Sequence, residues 1–161
     1  MKTTCISLIG LVAVSAFAAD PLDLKNGDFE KGKQFWRGDG KIVSETEANK
    51  VCELKASERY GDEITQEIDL GKNTKVEIAL RMKGIDYKGA GLRISMKQRG
   101  GGSTFNTREV TEGAWTDMKF TFTRNSPEEK YTLIIAPMMG KGSIQIDDVK
   151  IGTGGTSPKT Q

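Results

Sequence analysis

Apolar and polar residues alternate along most of this chain with a period of two. In residues 64–70 the even-numbered positions are Ile, Gln, Ile and Leu, and the odd-numbered positions are Thr, Glu and Asp. Alternation over four to seven residues, bounded by Gly, Asn, Asp or Pro, is typical of strands with one buried face. The same pattern recurs in residues 52–56, 76–82, 92–96, 118–122 and 144–146.

Further segments raise the number of predicted strands to between eight and ten. Residues 131–138 form a longer apolar run, and short apolar pairs lie at 22–24 and 42–43. No segment has a convincing helical period over three turns. Evenly spaced strands separated by turns predict an all-β sandwich, jelly roll or small barrel. Residues 152–161 are polar and rich in glycine, so they predict a flexible tail after a domain at 19–151.

One predicted strand changes the side of its apolar residues. Ile144 and Ile146 are even-numbered, whereas Val149 and Ile151 are odd-numbered, so the inward set changes parity at Asp147–Asp148. A β-bulge would restore the register and turn an aspartate sideways, a device often found beside functional sites. The alternative is a strand that crosses from one sheet to the other.

The N-terminus has the features of a signal peptide. Lys2 precedes an apolar run at 6–14, and Ala16 and Ala18 supply the small residues of a cleavage site. The apolar stretch is shorter than the ~20 residues needed to span a bilayer. We therefore expect cleavage of residues 1–18, no transmembrane segment in the mature chain, and export to the periplasm, the cell surface or the medium.

Composition excludes several kinds of chemistry. The 161 residues contain no histidine, which removes His-based triads and His metal ligands. The 24 basic and 22 acidic residues nearly balance, so no excess of positive charge indicates a nucleic-acid partner. Cleavage would remove Cys5 and leave Cys52 as the one thiol. It could pair with another molecule, but its place in an alternating segment favours burial as a small apolar residue.

Five short segments resemble one family in their order and spacing. They are NGDFE at 26–30, FW at 35–36, AW at 114–115, FTFT at 120–123 and IQIDDV at 144–149. Together they resemble the carbohydrate-binding modules of families 4 and 9, over about Leu24 to Ile151. Phe35 departs from the glycine that is common there. The resemblance implies a galactose-binding-like jelly-roll β-sandwich of two antiparallel sheets.

The resemblance also implies one structural calcium ion. Its ligands would be the side chains of Glu30, Glu47 and Asp147 and the backbone carbonyls of Asp28 and Lys50. Calcium takes six to eight oxygen ligands, and gathered carboxylates without a cation would repel one another. The alternative makes the two glutamates solvated turn residues and Asp147 a turn cap.

Two aromatic residues lie in polar segments where a ring has little reason to be buried. They are Tyr60, within SERYGDE, and Phe105, within GGGSTFN. The resemblance places ligand-stacking aromatics at both positions. Trp36 and Trp115, by contrast, are expected in the core or at its rim.

Polar residues near the two rings are candidates for hydrogen bonds to a ligand. They are Glu63, Gln98, Arg99 and Arg108. Arg93, Lys97 and Arg99 share one face of their predicted strand, which either lines a cleft or is simply solvated.

We therefore expect an exported, non-catalytic module that binds a polysaccharide or oligosaccharide in a cleft, by aromatic stacking and side-chain hydrogen bonds. The alternative is a structural or adhesion β-sandwich of the cell envelope that binds a protein partner. An enzyme is not expected, because no paired-carboxylate strand motif is present and histidine is absent.

Overall fold

The computed structural model describes residues 22–59, 61–98, 101–124 and 129–154, which form ten β-strands and no helix. In chain order they are β1 (Arg37–Gly38), β2 (Lys41–Thr46), β3 (Asn49–Lys55), β4 (Ile64–Asp69), β5 (Lys75–Gly89), β6 (Leu92–Gln98), β7 (Ser103–Arg108), β8 (Thr116–Thr123), β9 (Lys130–Pro137) and β10 (Gly140–Thr153). The prediction of a strand at residues 22–24 is wrong. The amide of Leu24 bonds back to the carbonyl of Leu22 at 2.8 Å, so this segment does not extend a ladder.

The strands form two antiparallel sheets of five. Sheet I has the order β1-β4-β9-β6-β7, and sheet II has the order β2-β3-β10-β5-β8. Apart from the consecutive pairs β2–β3 and β6–β7, neighbouring strands come from distant parts of the chain, so long-range pairing joins both ends of the domain. This arrangement confirms the predicted all-β sandwich.

The apolar sides of the two sheets face each other. Ile78 and Phe120 from sheet II and Ile94 and Ile135 from sheet I are all fully buried in one core cluster. Burying each such side chain stabilises the fold by about 1.5–3 kcal/mol. Cys52 is also fully buried, as predicted, and burial raises the pKa of its thiol to about 12. The thiol therefore stays protonated and acts as a core residue.

Strand β10 contains the irregularity that the parity change predicted. Its register with β5 shifts between Asp147 and Lys150, and Asp148 has a φ of 51°. Ile146 is buried before the shift and Val149 after it. The strand stays paired with β5 on both sides, so it is a bulge within one sheet and not a crossing between sheets.

The loop before β1 is organised by the segment that suggested the family resemblance. The Asn26 side chain donates to the carbonyls of residues 32 and 34 at 2.9 and 3.0 Å. Gly27 is needed because a Cβ there would lie 1.9 Å from the carbonyl oxygen of Val149. Phe29 and Trp36 are buried with ring centroids 5.6 Å apart, which confirms the core position expected for Trp36.

The predicted signal peptide at 1–18 lies outside the described residues, and so does most of the predicted tail. Strand β10 runs two residues beyond the predicted end of the domain, to Thr153. In the part of the chain that the structure describes, no helix is long and apolar enough to cross a membrane.

Candidate functional site

The outer face of sheet I carries a continuous row of side chains across all five strands. Arg37 on β1 pairs with Thr65 on β4, which pairs with Ile134 on β9. Ile134 pairs with Ser95 on β6, and Ser95 pairs with Phe105 on β7. Because neighbouring strands lie about 4.8 Å apart, the row spans about 19 Å. The middle of the row is formed by Thr65, Ile134 and Ser95, and Ser95 is buried with 6% of its surface exposed.

An exposed phenylalanine lies near each end of this row. Phe105 is 61% exposed and Phe35 is 51% exposed. Phe35 lines a depression of about 430 Å³ together with Arg37, Thr65 and Thr132. Both rings therefore provide flat apolar faces on which a ligand could stack.

Strand β6 adds two cations to the same face. Arg93 and Lys97 are exposed and lie two residues before and after Ser95. Side chains two residues apart on a strand share a face, so both lie beside the position opposite Phe105. The common face that the sequence predicted for these two residues is confirmed.

Two of the predicted ligand residues lie on the opposite side of sheet I. Gln98 pairs with the buried Tyr131, and Arg108 pairs with the buried Leu92. The Arg108 guanidinium lies 5.2 Å from the centre of the core Phe120 ring. Both side chains are therefore on the core side of their strands, and the expected grouping of them with Phe105 is not formed.

The remaining predicted ligand residues have separate outcomes. Phe105 is exposed as expected, and its role in binding stays a prediction. Glu63 is exposed directly before β4, and its carbonyl accepts a hydrogen bond from the Asp39 amide at 2.9 Å. Tyr60 and Arg99 lie outside the described residues, so their roles also stay predictions.

Sequence reasoning missed Phe35 as a candidate, because it treated this residue only as a departure from a family glycine. The backbone there has a φ of 73°, the left-handed region that a bulky residue rarely adopts. A ring at a position where glycine is common was the signal that could have identified it.

The outer face of sheet II carries a different set of residues, which we call the Trp115 cluster: Glu45, Arg81, Lys83, Trp115 and Asp147. The Arg81 guanidinium and the Lys83 ammonium lie 4.5 and 4.6 Å from the centre of the half-buried Trp115 ring. The indole N–H donates to Glu45, and Lys83 lies 2.9 Å from the same carboxylate oxygen. Trp115 therefore lies at the rim of the fold, with its N–H hydrogen-bonded to Glu45 and two cations over its ring.

Asp147 is the most buried charge of the cluster, with 2% of its surface exposed. It accepts hydrogen bonds from the Arg81 guanidinium, from Asn49 at 3.3 Å and from the Asp148 amide at 2.8 Å. Burial raises the pKa of Asp147 above its usual value, although these hydrogen bonds oppose the shift. Burial alone would lower the pKa of Arg81, but its bond to Asp147 holds that pKa above its usual value.

Hydrogen bonds also shift the acidity of Glu45. Burial raises its pKa, but Lys83, Trp115 and Asn49 together outweigh that effect, and the pKa is lowered overall. A lowered pKa means that the folded environment favours the ionised carboxylate. Glu45 is therefore part of the structure of this face and not a proton donor near neutral pH.

The residues implied as calcium ligands are brought together only in part. Glu30 accepts a hydrogen bond from the Lys50 amide at 2.8 Å, and the Lys50 ammonium donates to the Glu30 carbonyl at 3.1 Å. Glu47 is exposed in the turn between β2 and β3, and Asp28 is exposed in the N-terminal loop. Among the described residues, no three acidic, Cys or His side chains are placed to hold a metal ion.

This donor set does not fit a calcium ion as it is placed. The Arg81 guanidinium occupies the Asp147 carboxylate, and the Lys50 ammonium lies beside Glu30. Calcium requires six to eight oxygen ligands. Here Arg81 and Lys50 already place positive charges beside Asp147 and Glu30, two of the residues that would have to supply those oxygens. Calcium binding stays a prediction from the resemblance.

A comparison with protein families gives one match. The family described as "Carbohydrate binding domain" (CBM_4_9) matches residues 24–137, more than half of the chain. The matched region includes the N-terminal loop and nine of the ten strands described above. No curated protein matches the chain.

Solved structures share the fold at low sequence identity. TmCBM61, in complex with β-1,4-galactotriose, is 20% identical with a TM-score of 0.62, covering 82% of this chain and 98% of that one. The CBM22-1 xylan-binding domain of Paenibacillus barcinonensis Xyn10C is 14% identical with a TM-score of 0.58, covering 77% and 88%. A cyclase from Fischerella sp. TAU is 16% identical with a TM-score of 0.64, covering 83% and 96%. Since binding modules and an enzyme share this fold, function has to be argued from the site.

Proposed function

We propose that this chain, which belongs to the carbohydrate binding domain family, binds a polysaccharide or oligosaccharide across the outer face of sheet I without catalysing a reaction. The observation that carries the proposal is the row from Arg37 to Phe105, with an exposed ring near each end. On the outer face of sheet II, by contrast, the Arg81 and Lys83 side chains already lie over the Trp115 ring.

The chemistry of the row suits a sugar. Sugar rings present apolar C–H faces edged by hydroxyl groups, so they stack on aromatic rings and hydrogen-bond at their edges. Phe35 and Phe105 supply the flat faces, and the exposed Arg37 and half-buried Thr65 supply polar groups in the depression beside Phe35. The row spans about 19 Å, which is long enough for a short run of sugar rings lying across the strands.

Affinity electrophoresis in gels that contain soluble polysaccharides tests the proposal. We expect the wild type to be retarded by at least one polysaccharide, and Phe105→Ala or Phe35→Ala to weaken binding about tenfold by loss of stacking. Met139→Ala is the matched control, because Met139 is 67% exposed but lies in the turn between β9 and β10. It should bind like the wild type.

The possible outcomes distinguish a wrongly placed binding site from a wrong function. Unchanged binding by the double variant Phe35→Ala/Phe105→Ala would move the site away from this face. Tyr60→Ala in the same gels tests the second ring predicted from sequence. If no protein were retarded by any polysaccharide or bound on a glycan array, the carbohydrate-binding proposal would be wrong.

We also propose that residues 1–18 direct export of the protein. The support is the basic start, the apolar run and the small residues before Ala19. Expression of the full chain in a bacterial host, followed by mass spectrometry of the fractionated protein, should give a mature N-terminus at Ala19 outside the cytoplasm. An intact N-terminus in the cytoplasmic fraction would contradict the proposal.

A further inference from the structure

The charges on the outer face of sheet I are distributed unevenly. Acidic residues occur on β4, where Glu67 and Asp69 face outward, and Glu67 lies 3.8 Å from Lys130 on β9. On β6 the outward residues are Arg93, Ser95 and Lys97, so no acidic residue lies on that strand's outer side. The half of the face that contains Phe105 is therefore the cationic half.

The cations of β6 have uncharged neighbours on both sides. Arg93 lies opposite Ala136 on β9 and Thr107 on β7. Lys97 lies opposite Thr132 on β9 and Ser103 on β7. Within residues 22–59, 61–98, 101–124 and 129–154, neither cation forms a side-chain hydrogen bond or an ion pair.

Both cations lie within reach of a ligand on Phe105. Phe105 pairs directly with Ser95, so Arg93 and Lys97 are its two diagonal neighbours across the strand pair. Diagonal neighbours are about 7–8 Å apart, a distance that long side chains bridge. A sugar ring stacked on Phe105 would therefore have a positive charge available on each side of the ring.

We infer that the saccharide bound on this face is acidic, and that Arg93 and Lys97 bind its carboxylate or sulfate groups on either side of Phe105. This inference rests on the proposed function and adds a substrate class to it. Guanidinium and ammonium groups form charge-assisted hydrogen bonds with carboxylates and sulfates, and these are stronger than bonds to neutral hydroxyls. A carboxylate or sulfate between Arg93 and Lys97 would therefore gain more from this surface than a neutral hydroxyl would.

The test compares matched acidic and neutral polysaccharides at low ionic strength. Polygalacturonate and its fully methyl-esterified form differ in the carboxylate, whereas dextran sulfate and dextran differ in the sulfate. We expect the wild type to bind one or both acidic polymers at least tenfold more tightly than their neutral partners. We also expect this preference to shrink about tenfold between 50 mM and 500 mM salt, because exposed charges are screened. The pair that shows the preference identifies the anionic group.

Two double variants separate local recognition from net charge. Arg93→Gln/Lys97→Gln should lose about tenfold or more of the affinity for the acidic polymer. Lys41→Gln/Lys55→Gln removes the same two positive charges from the exposed surface of sheet II and should bind like the wild type. Circular dichroism and thermal melting of all variants check that each remains folded.

The inference and the proposed function fail in different ways. Equal losses in both double variants, or acidic binding that survives Phe105→Ala, would show non-specific attraction and overturn the inference. Binding to neutral polymers alone that depends on Phe105 would also overturn it while leaving the proposed function intact. Binding to no polymer of either kind would overturn both.

Discussion

The outer faces of the two sheets both carry aromatic and basic side chains, but they differ in the contacts that these side chains make. On sheet II, Arg81 and Lys83 stack on Trp115, and their charges meet Asp147 and Glu45. On sheet I, by contrast, the ring of Phe105 is open to solvent and the nearby β6 cations have no acidic neighbour on adjoining strands.

The difference shows why the presence of aromatic and charged residues does not by itself identify a binding site. A ring whose stacking partners are cations of the same protein, themselves paired with acids, already uses these interactions to stabilise the fold. A ring and cations that lack partners leave those interactions available to a ligand. We therefore expect variants of the sheet II cluster to change folding, and variants of the sheet I face to change binding.

The largest expected effect is on folding, from Arg81→Ala. This change leaves the Asp147 carboxylate, whose side chain is 3% exposed, without its neutralising partner. Loss of one member of a buried pair costs about 3 kcal/mol or more in unfolding free energy, measured by urea denaturation. Lys141→Ala is the control, because its pair with Glu58 is 3.6 Å long and largely exposed, and such pairs contribute about 0–1 kcal/mol. Equal losses would show that the cluster is not an interdependent unit.

The next effect is the pH dependence contributed by Glu45. Because folding lowers its pKa below 4.5, the ionised form stabilises the folded state above that pH, and the contribution is lost as the pH falls through the folded value. Glu45→Gln should therefore be about 1–2 kcal/mol less stable than the wild type at neutral pH. The difference in stability should narrow as the pH falls below 4.5 and through the lower pKa of the folded state. A constant gap across denaturation curves from neutral to acidic pH would contradict this assignment.

A smaller effect is expected when Phe105 is changed. Because its ring is 61% exposed, Phe105→Ala should alter the unfolding free energy by less than about 0.5 kcal/mol. Trp115→Ala should cost clearly more, because it removes two cation–π contacts and a hydrogen bond to Glu45. If the two variants were equally unstable, the proposed division between a stabilising face and a binding face would be wrong.

The smallest expected effect is that of calcium removal. With the Arg81 guanidinium on Asp147, a chelator should leave the melting temperature of the purified protein unchanged. A fall in melting temperature that added calcium reverses would show instead that the ion implied by the resemblance binds and that Arg81 moves aside. Asp147→Ala would then remove the sensitivity to chelator.

The sequence predicted strands well where one side of each strand is clearly apolar. The alternation in β4, β5 and β6 identified their inward residues, and the parity change at Asp147–Asp148 located the bulge in β10. Both inferences rest on the two-residue period of a strand, which is a local property. The order of strands within each sheet is not local, and only the structure provided it.

The candidate site was harder to predict because β7 is an edge strand without an apolar side. Its inward residues are Thr104, Asn106 and Arg108, all polar, so nothing in the sequence showed that Arg108 and Phe105 lie on opposite sides. Closeness in sequence had grouped them. Pairing with Leu92 and Ser95, which only the fold reveals, separates them.

The bulge in β10 also has a consequence for how this strand tolerates change. The extra residue offsets the two halves of the strand by one position, and the bulge absorbs this offset so that Ile146 and Val149 both face the core. Deleting Asp148 would restore a regular alternation, with Val149 and Ile151 still inward and Lys150 outward, because every later residue moves back by one position. This deletion is therefore expected to spare the core and to act mainly on the hydrogen bonds of Asp147, one of which comes from the Asp148 amide. Deleting Lys150 instead would make Val149 and Ile151 adjacent and place them on opposite faces of the sheet, so the site of a deletion in this strand decides whether the core is affected.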